Sequence, residues 1–278
     1  MKNVRLISRL DVKGANLIKG VHLEGLRKIG DPQEHAVKYY KQGADEIIYM
    51  DVVASLYGRN NLSDILERTA ENVFIPITVG GGIRSVEDVR HLLRCGADKI
   101  AINTAATKNP TLISEIAEVF GSQCVVVAID AKELQTSAST SAPPDWAPKH
   151  PELLLKQSDP PPTWQVYTHG GRNATGIHVQ RWAQKMDFYG AGEILLTSMD
   201  RDGTKAGYDI ELNKTVSESV SIPVIASGGA GTLEDLYKGI AKGKASAVLA
   251  ASIFHFKEFT IQEAKTFLQS KGVNVRPS

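Results

Sequence analysis

Short apolar runs rich in β-branched residues alternate along the chain with segments whose apolar positions recur every three or four residues. The runs cover residues 4–10, 46–50, 75–79, 99–102, 124–129, 193–197, 222–226 and 245–250. Each is too short for a helix and reads as a strand. Helical spacing appears between them at 85–93, 110–120, 233–240 and 261–270. Ser85 with Asp88, Thr232 with Asp235 and Thr260 with Glu263 each place an acceptor before a first turn and an acid inside it. Asn109-Pro110 predicts a cap followed by proline at the first helical position, and Gly121 and Gly272 predict helix stops. Strict β/α alternation predicts a parallel sheet with helical crossovers. Eight such units favour a closed α/β (βα)8 TIM barrel over an open sheet. Lys13-Gly14-Ala15-Asn16 also lacks the glycine-rich turn that a doubly wound sheet places after its first strand.

The pattern repeats. Ile75-Pro76-Ile77-Thr78-Val79-Gly80-Gly81-Gly82 lines up with Ile222-Pro223-Val224-Ile225-Ala226-Ser227-Gly228-Gly229 at an offset of 147 residues. Ser85-Val86-Glu87-Asp88 meets Thr232-Leu233-Glu234-Asp235 at the same offset, and Glu46-Ile47-Ile48 meets Glu193-Ile194-Leu195. Near the start, Leu10-Asp11-Val12-Lys13 meets Ile129-Asp130-Ala131-Lys132 at an offset of 119, so about 28 extra residues follow Lys132. Matches in register that include glycines and acids predict two four-unit halves joined into one barrel. The extra residues stand out by composition. Residues 135–163 begin with a Ser/Thr run and hold seven of the chain's twelve prolines. Such a segment builds no core of its own and reads as a Pro/Ser-rich insertion after strand five, with Trp146 and Trp164 available to pin it. A linker between two domains is the competing reading. The repeat disfavours it, because the second half continues the same barrel, so residues 1–278 are expected to form one domain.

Composition narrows the function class. The 278 residues are 42% apolar and 23% charged, which excludes wholesale disorder. The net charge of +1, from 32 basic and 31 acidic residues, gives no footprint for nucleic acid or a membrane surface. Cys95 and Cys124 make neither a disulfide framework nor a metal cluster, and no metal or cofactor is expected. No apolar stretch approaches the ~20 residues of a membrane span, and the start of the chain shows no signal-peptide run, so a cytoplasmic location is expected.

Barrel active sites lie at the C-terminal ends of the strands. Asp11 and Asp130 fall there on strands one and five, which face each other across an eight-strand ring. Paired carboxylates in that placement suit general acid/base work on a small substrate; the competing reading is that each merely caps its loop. Gly80-Gly81-Gly82 and Ser227-Gly228-Gly229 end strands three and seven, with Asn103-Thr104 and Ala251-Ser252 ending the strands beside them. Glycines let backbone N–H groups approach an anion, and the helix N-termini that follow favour negative charge. Two such cradles predict an elongated ligand with a phosphate at each end. Lys19 is a candidate cationic contact or a solvated surface lysine. At the opposite end Arg5, Glu46, Lys99 and Glu193 lie at or near strand starts, either as solvated rim groups or as a ring of salt bridges. His22, His35, His91, His150 and His178 have no constellation around them and read as surface or packing residues.

These residues together resemble the cyclase subunit family of imidazole glycerol phosphate synthase, over the whole chain except about 135–163. The motifs that carry the resemblance are Val79-Gly80-Gly81-Gly82-Ile83, Gly96-Ala97-Asp98-Lys99, Ile102-Asn103-Thr104-Ala105-Ala106 and Phe120-Gly121-Ser122-Gln123. To these are added Ala128-Ile129-Asp130-Ala131-Lys132, His169-Gly170-Gly171-Arg172, Asp200-Arg201-Asp202-Gly203-Thr204 and Ser227-Gly228-Gly229-Ala230-Gly231. The resemblance implies a lyase of histidine biosynthesis that takes ammonia from a glutaminase subunit, its heterodimer partner. The substrate implied is a bis-phosphorylated ribulosyl aminoimidazole carboxamide nucleotide. By match, Asp11 and Asp130 are the catalytic pair. Lys19, Gly81, Gly82, Asn103, Thr104, Thr197, Asp202, Gly203, Ser227, Gly228, Gly229 and Ser252 belong to the substrate and phosphate sites. Arg5, Glu46, Lys99 and Glu193 gate the ammonia passage, and Asp98 and Gln123 lie on the glutaminase face.

One position departs from the family. Its first strand usually reads Cys-Leu-Asp-Val-Lys, and here it reads Arg9-Leu10-Asp11-Val12-Lys13. Alternation along a strand puts Arg5, Ile7, Arg9 and Asp11 on one face, so Arg9 is expected inside the barrel one layer below Asp11. A buried guanidinium needs a counter-ion, for which Asp51 or Glu46 is the expected partner, and its charge should favour an ionised Asp11. The departure leaves open a paralogue that delivers ammonia to a nucleotide-sugar in surface-polysaccharide synthesis.

Overall fold

The structure is a computed structural model that describes residues 3–21, 24–54, 62–134 and 150–277. The strands in chain order are β1 (Arg5–Lys13), β2 (Asn16–Val21), β3 (Glu24–Gly30), β4 (Glu46–Asp51), β5 (Ile77–Gly80) and β6 (Lys99–Ile102). They continue as β7 (Val125–Glu133), β8 (Trp164–Thr168), β9 (Asn173–His178), β10 (Glu193–Ser198), β11 (Val224–Ser227) and β12 (Ala247–Ala250). Eight of them pair in parallel around a ring, β1-β4-β5-β6-β7-β10-β11-β12, and β12 closes back on β1. Helices lie between the strands on the outside. Those used below are α1 (Pro32–Lys41), α2 (Ser63–Ala70), α3 (Val86–Arg94), α4 (Thr104–Lys108), α5 (Leu112–Phe120), α6 (Val179–Phe188), α7 (Ile210–Ser217), α8 (Leu233–Ala241), α9 (Ser252–His255) and α10 (Ile261–Ser270). This is the closed (βα)8 barrel that the alternation predicts.

The sequence marks eight strands, and the described residues form four more. β2 and β3 form an antiparallel hairpin that continues from β1, and β8 and β9 form its counterpart on β7. The two hairpins occupy equivalent places in the two halves. They lengthen β1 and β7 beyond the ring, to Lys13 and Glu133. The strands β5, β11 and β12 begin two residues later than the apolar runs suggest. For β5 and β11 the reason is Pro76 and Pro223, which donate no backbone hydrogen bond.

The capping pairs at Ser85/Asp88, Thr232/Asp235 and Thr260/Glu263 are complete reciprocal boxes on α3, α8 and α10. Asn109 does not cap the helix that follows it. It ends α4, and α5 begins at Leu112, with the Thr111 hydroxyl donating to Asn109 Oδ1 at 2.8 Å. Gly121 and Gly272 stop their helices with positive φ, as expected.

Two apolar cores result. The larger lies between the ring and the helices, where Leu6, Tyr49, Val127, Leu196 and Trp182 are buried. The smaller fills the barrel itself with Ile7, Ile48, Ala101, Val126, Ala128, Leu195, Ile225, Ala247 and Leu249. The segment joining β7 to β8 is described only from residue 150, so Trp146 lies outside the described residues. Its described part packs on the barrel's outside. Arg181 of α6 donates to the Leu154 carbonyl at 2.6 Å and pairs with Asp159. Trp164 is buried in β8 and donates to Asp209, the cap of α7, at 3.2 Å.

Candidate active site

The two aspartates stand where β1 and β7 leave the ring. Asp11 pairs with Met50 on the ring side and with Ile18 of the hairpin. Asp130 pairs with Thr197 on the ring side and with Tyr167 of the other hairpin. The four-strand separation of β1 and β7 in the ring sets the carboxylates on opposite walls of the mouth. Both line one cavity of about 330 Å³.

Their surroundings differ. Asp11 accepts from Arg9 Nε at 2.7 Å, and Lys19 Nζ lies 3.8 Å away. Burial pushes the Asp11 carboxyl up, but Arg9 and Lys19 outweigh it and hold the group below the usual carboxylate range. Among the described residues Asp130 has no such cation in contact. It accepts from Asn103 Nδ2 at 3.0 Å. Burial, with the negative charges of Asp202 and Asp11, pushes it up to about 6 against the pull of Arg9 and Asn103. One carboxyl is therefore kept ionised while the other titrates at about 6, closer to neutrality. That division is the one acid/base chemistry needs.

Arg9 lies inside the barrel, as strand alternation predicts, and is 7% exposed. Its partner is neither Asp51 nor Glu46 but Asp11, two residues on along the same strand face. Asp51 instead accepts from the backbone N–H groups of Val53 and Ala54 at 3.0 Å and shapes the loop after β4. Glu46 belongs to the far end of the barrel.

The two glycine turns flank the aspartates. Gly81 and Gly82, with Asn103 and Thr104, line the same cavity as the carboxylates. Gly81 has φ +105°, and a Cβ there would lie 2.3 Å from the Asp51 carbonyl oxygen, so only glycine fits. A second, adjoining cavity is lined by Gly203, Ser227, Gly228, Gly229 and Ser252. Gly229 has φ +107° and the same restriction, its Cβ falling 2.2 Å from the Gly207 carbonyl oxygen. Thr197 lies between the cavities and donates to Ser227 Oγ at 3.1 Å. Arg9, Lys19 and Asp202 line both cavities. Lys19 is not a solvated surface residue, since its side chain is 10% exposed and sits 3.9 Å from Asp202.

Sequence reasoning gave no site role to Arg84, Lys108 and Arg172 on the first cavity or Lys205 on the second, and named Arg172 only within a motif. Each follows a strand end within a loop or short helix; Arg84, Arg172 and Lys205 lie within two residues of a glycine, and Lys108 has no such signal. Of the described histidines named above, none lines either cavity, and His22 lies outside the described residues. His35 stacks edge-on against Tyr39, and His91 meets Ser63 Oγ at 2.8 Å.

At the opposite end the four charges close a ring. Arg5 donates to Glu46 at 2.7 Å and to Glu193, and Lys99 donates to Glu46 at 2.9 Å and to Glu193 at 3.2 Å. Thr78 adds a bond to Glu46 at 2.6 Å. Asp98 and Gln123 are exposed on this same end. Asp98 accepts from Ile77 N at 2.8 Å, and Gln123 donates to the Phe120 carbonyl at 3.2 Å.

A family model described as histidine biosynthesis protein matches residues 5–260. The chain belongs to this histidine biosynthesis family. The match takes in both aspartates, both glycine turns and the whole ring of charges. The chain is also 62% identical over 235 residues to the imidazole glycerol phosphate synthase subunit HisF of Legionella pneumophila. That similarity covers 84% of this chain and 99% of the relative. Among the described residues of this family member, no helix is long and apolar enough to cross a membrane.

Proposed function

We propose that the chain is the cyclase subunit of imidazole glycerol phosphate synthase. In this reading it condenses ammonia with the bis-phosphorylated ribulosyl aminoimidazole carboxamide nucleotide. The products are imidazole glycerol phosphate, aminoimidazole carboxamide ribotide and water. The observation that carries the reading is the pair Asp11 and Asp130, poised on opposite walls between two glycine cradles. The 62% identity to a protein named for this synthase supports it.

The residues take their roles from their surroundings. The cradles around Gly81-Gly82 and Gly228-Gly229 hold the two phosphates through backbone N–H groups and helix N-termini, with Lys19 adding charge between them. Asp11, ionised, accepts protons from the attacking nitrogen. Asp130, whose protonated form is accessible near neutral pH, donates to the departing oxygen and to the leaving nitrogen.

Ammonia enters at the other end. The barrel interior between the ring of charges and the cavity is apolar, which admits neutral ammonia and penalises ammonium. Arg5, Glu46, Lys99 and Glu193 gate this entrance. Phe74, just before β5, and Val119 and Phe188, at the ends of α5 and α6, are exposed on this end at 75%, 52% and 80%. Together they form an apolar rim suited to a glutaminase subunit. The chain acts as one barrel, and the Pro/Ser-rich residues 135–163 are an insertion in its sequence. The match to nearly all of a relative but only 84% of this chain supports an added segment.

Growth of a cyclase-deficient bacterium without histidine tests the assignment. Expression of the chain with a compatible glutaminase restores growth, and Asp11→Asn abolishes the rescue. Failure of the well-folded wild-type chain to restore growth argues for the nucleotide-sugar reading.

A further inference from the structure

We propose that Arg9 is a substrate-positioning residue, whose guanidinium holds an uncharged oxygen of the substrate's middle section between the two phosphate cradles. The inference rests on the cyclase reading above. A guanidinium carries five N–H donors in a fixed plane and no acceptor. Among the described residues only Nε of Arg9 finds an acceptor, in the bond to Asp11. Among the described residues its Nη groups meet no acceptor, and the side chain lines both cavities. Around it the cavity floor is apolar, formed by Met50, Ala101, Ala128 and Leu195. A charge buried in such a setting is costly until its donors are filled, so a ligand oxygen that fills them is bound strongly.

The charges nearby define that oxygen. Asp11, Asp130 and Asp202 all act on Arg9 electrostatically. Three carboxyl groups make this a poor place for a further dianion, and the two phosphates already have their cradles. A neutral acceptor suits the site, and in the proposed substrate the carboxamide oxygen has that chemistry. Arg9 then reads the part of the substrate that distinguishes it from any other molecule with two terminal phosphates. Its bond to Asp11 fixes the plane of the fork, since Nε and the Nη groups are coplanar.

Arg9→Lys separates the fork from the charge. Lysine keeps a cation beside Asp11 but offers a point charge without planar donors. Steady-state kinetics with the nucleotide and ammonium salt should show KM raised about tenfold or more, the weight of one charged hydrogen bond. The value of kcat, the acidic limb of kcat/KM and the affinity for inorganic phosphate should stay within about threefold. If Arg9→Lys does not fold, Arg9→Gln, which keeps amide donors without charge, carries the same KM readout. A KM unchanged from wild type overturns the proposal and leaves the cyclase reading standing. A rise in KM matched by an equal loss of phosphate affinity also overturns it, because the cradles themselves would then be distorted. Absence of turnover by the wild-type chain removes the cyclase reading and this proposal together.

Discussion

Arg9 donates through Nε to Asp11 Oδ1 at 2.7 Å, from two residues back on the same face of one strand. The pair divides the labour of the mouth. Asp11 is held ionised by contact, while Asp130 feels Arg9 only at a distance and is pushed up to about 6. Carbon-13 NMR of the aspartate carboxyls in the ligand-free chain should find Asp130 titrating near that value and Asp11 below the usual range. Arg9→Met should move Asp11 upward and leave the protein folded.

Asp130 also links stability to pH. Its proton is bound more tightly in the folded chain than in the unfolded chain, where the carboxyl titrates near its ordinary 3.8. The folded state is therefore favoured by this group at low pH and loses that advantage as pH rises from about 4 through about 6. Asp130→Asn should raise the unfolding free energy at pH 8 by about 3 kcal/mol, with the gain vanishing below about pH 4. Urea titrations at the two pH values measure it.

Glu46 is 1% exposed and receives Arg5, Lys99 and Thr78. Glu46→Gln keeps the shape and an acceptor for Thr78 but removes the charge between two cations. Unfolding in urea should show a loss of about 2 kcal/mol. Turnover with saturating ammonium salt should persist, because the aspartates and cradles are untouched and only the entrance is altered.

Gly229 and Gly14 both have positive φ but differ in space. A Cβ at Gly229 falls 2.2 Å from a backbone oxygen, whereas one at Gly14 meets nothing within 4 Å. Gly229→Ala should cost about 3 kcal/mol and weaken inorganic phosphate binding, while Gly14→Ala should cost about 1 kcal/mol from backbone strain alone. Thermal melts and phosphate calorimetry on the two variants make the comparison.

Phe188 and Phe74 are the most exposed of the large apolar side chains described, and both stand on the end with the ring of charges. Phe188→Asp should weaken association with a glutaminase subunit about tenfold or more. Turnover with ammonium salt should be unchanged. Equal loss of both activities would place Phe188 in the fold rather than on the docking face.

Much of the molecule was legible before any coordinates. The ring strands are buried on both sides, so they read as unbroken apolar runs, and the duplication marked Asp11 with Asp130 and Gly81 with Gly228. The hairpins were not legible. Asn16–Val21 and Glu24–Gly30 mix glycine and charge with their apolar residues, so no clean alternation marks them, although Leu17 and Ile18 are buried. Strand alternation places Arg9 inside the barrel, and the same alternation puts Asp11, rather than a residue of the next strand, beside it as counter-ion. Asp51 was unavailable because it serves the backbone of its own loop. The basic residues Lys108, Arg172 and Lys205 reach the cavities through loop geometry that no periodicity encodes.

The most direct test is product formation by the purified chain alone, supplied with the ribulosyl aminoimidazole carboxamide nucleotide and ammonium salt at a pH where free ammonia is plentiful. The account predicts imidazole glycerol phosphate and aminoimidazole carboxamide ribotide in equal amounts. It also predicts that Asp11→Asn and Asp130→Asn, each folded and still binding inorganic phosphate, lose at least about a hundredfold in kcat. A folded wild-type chain that forms neither product, or an aspartate variant that keeps the wild-type rate, would contradict it.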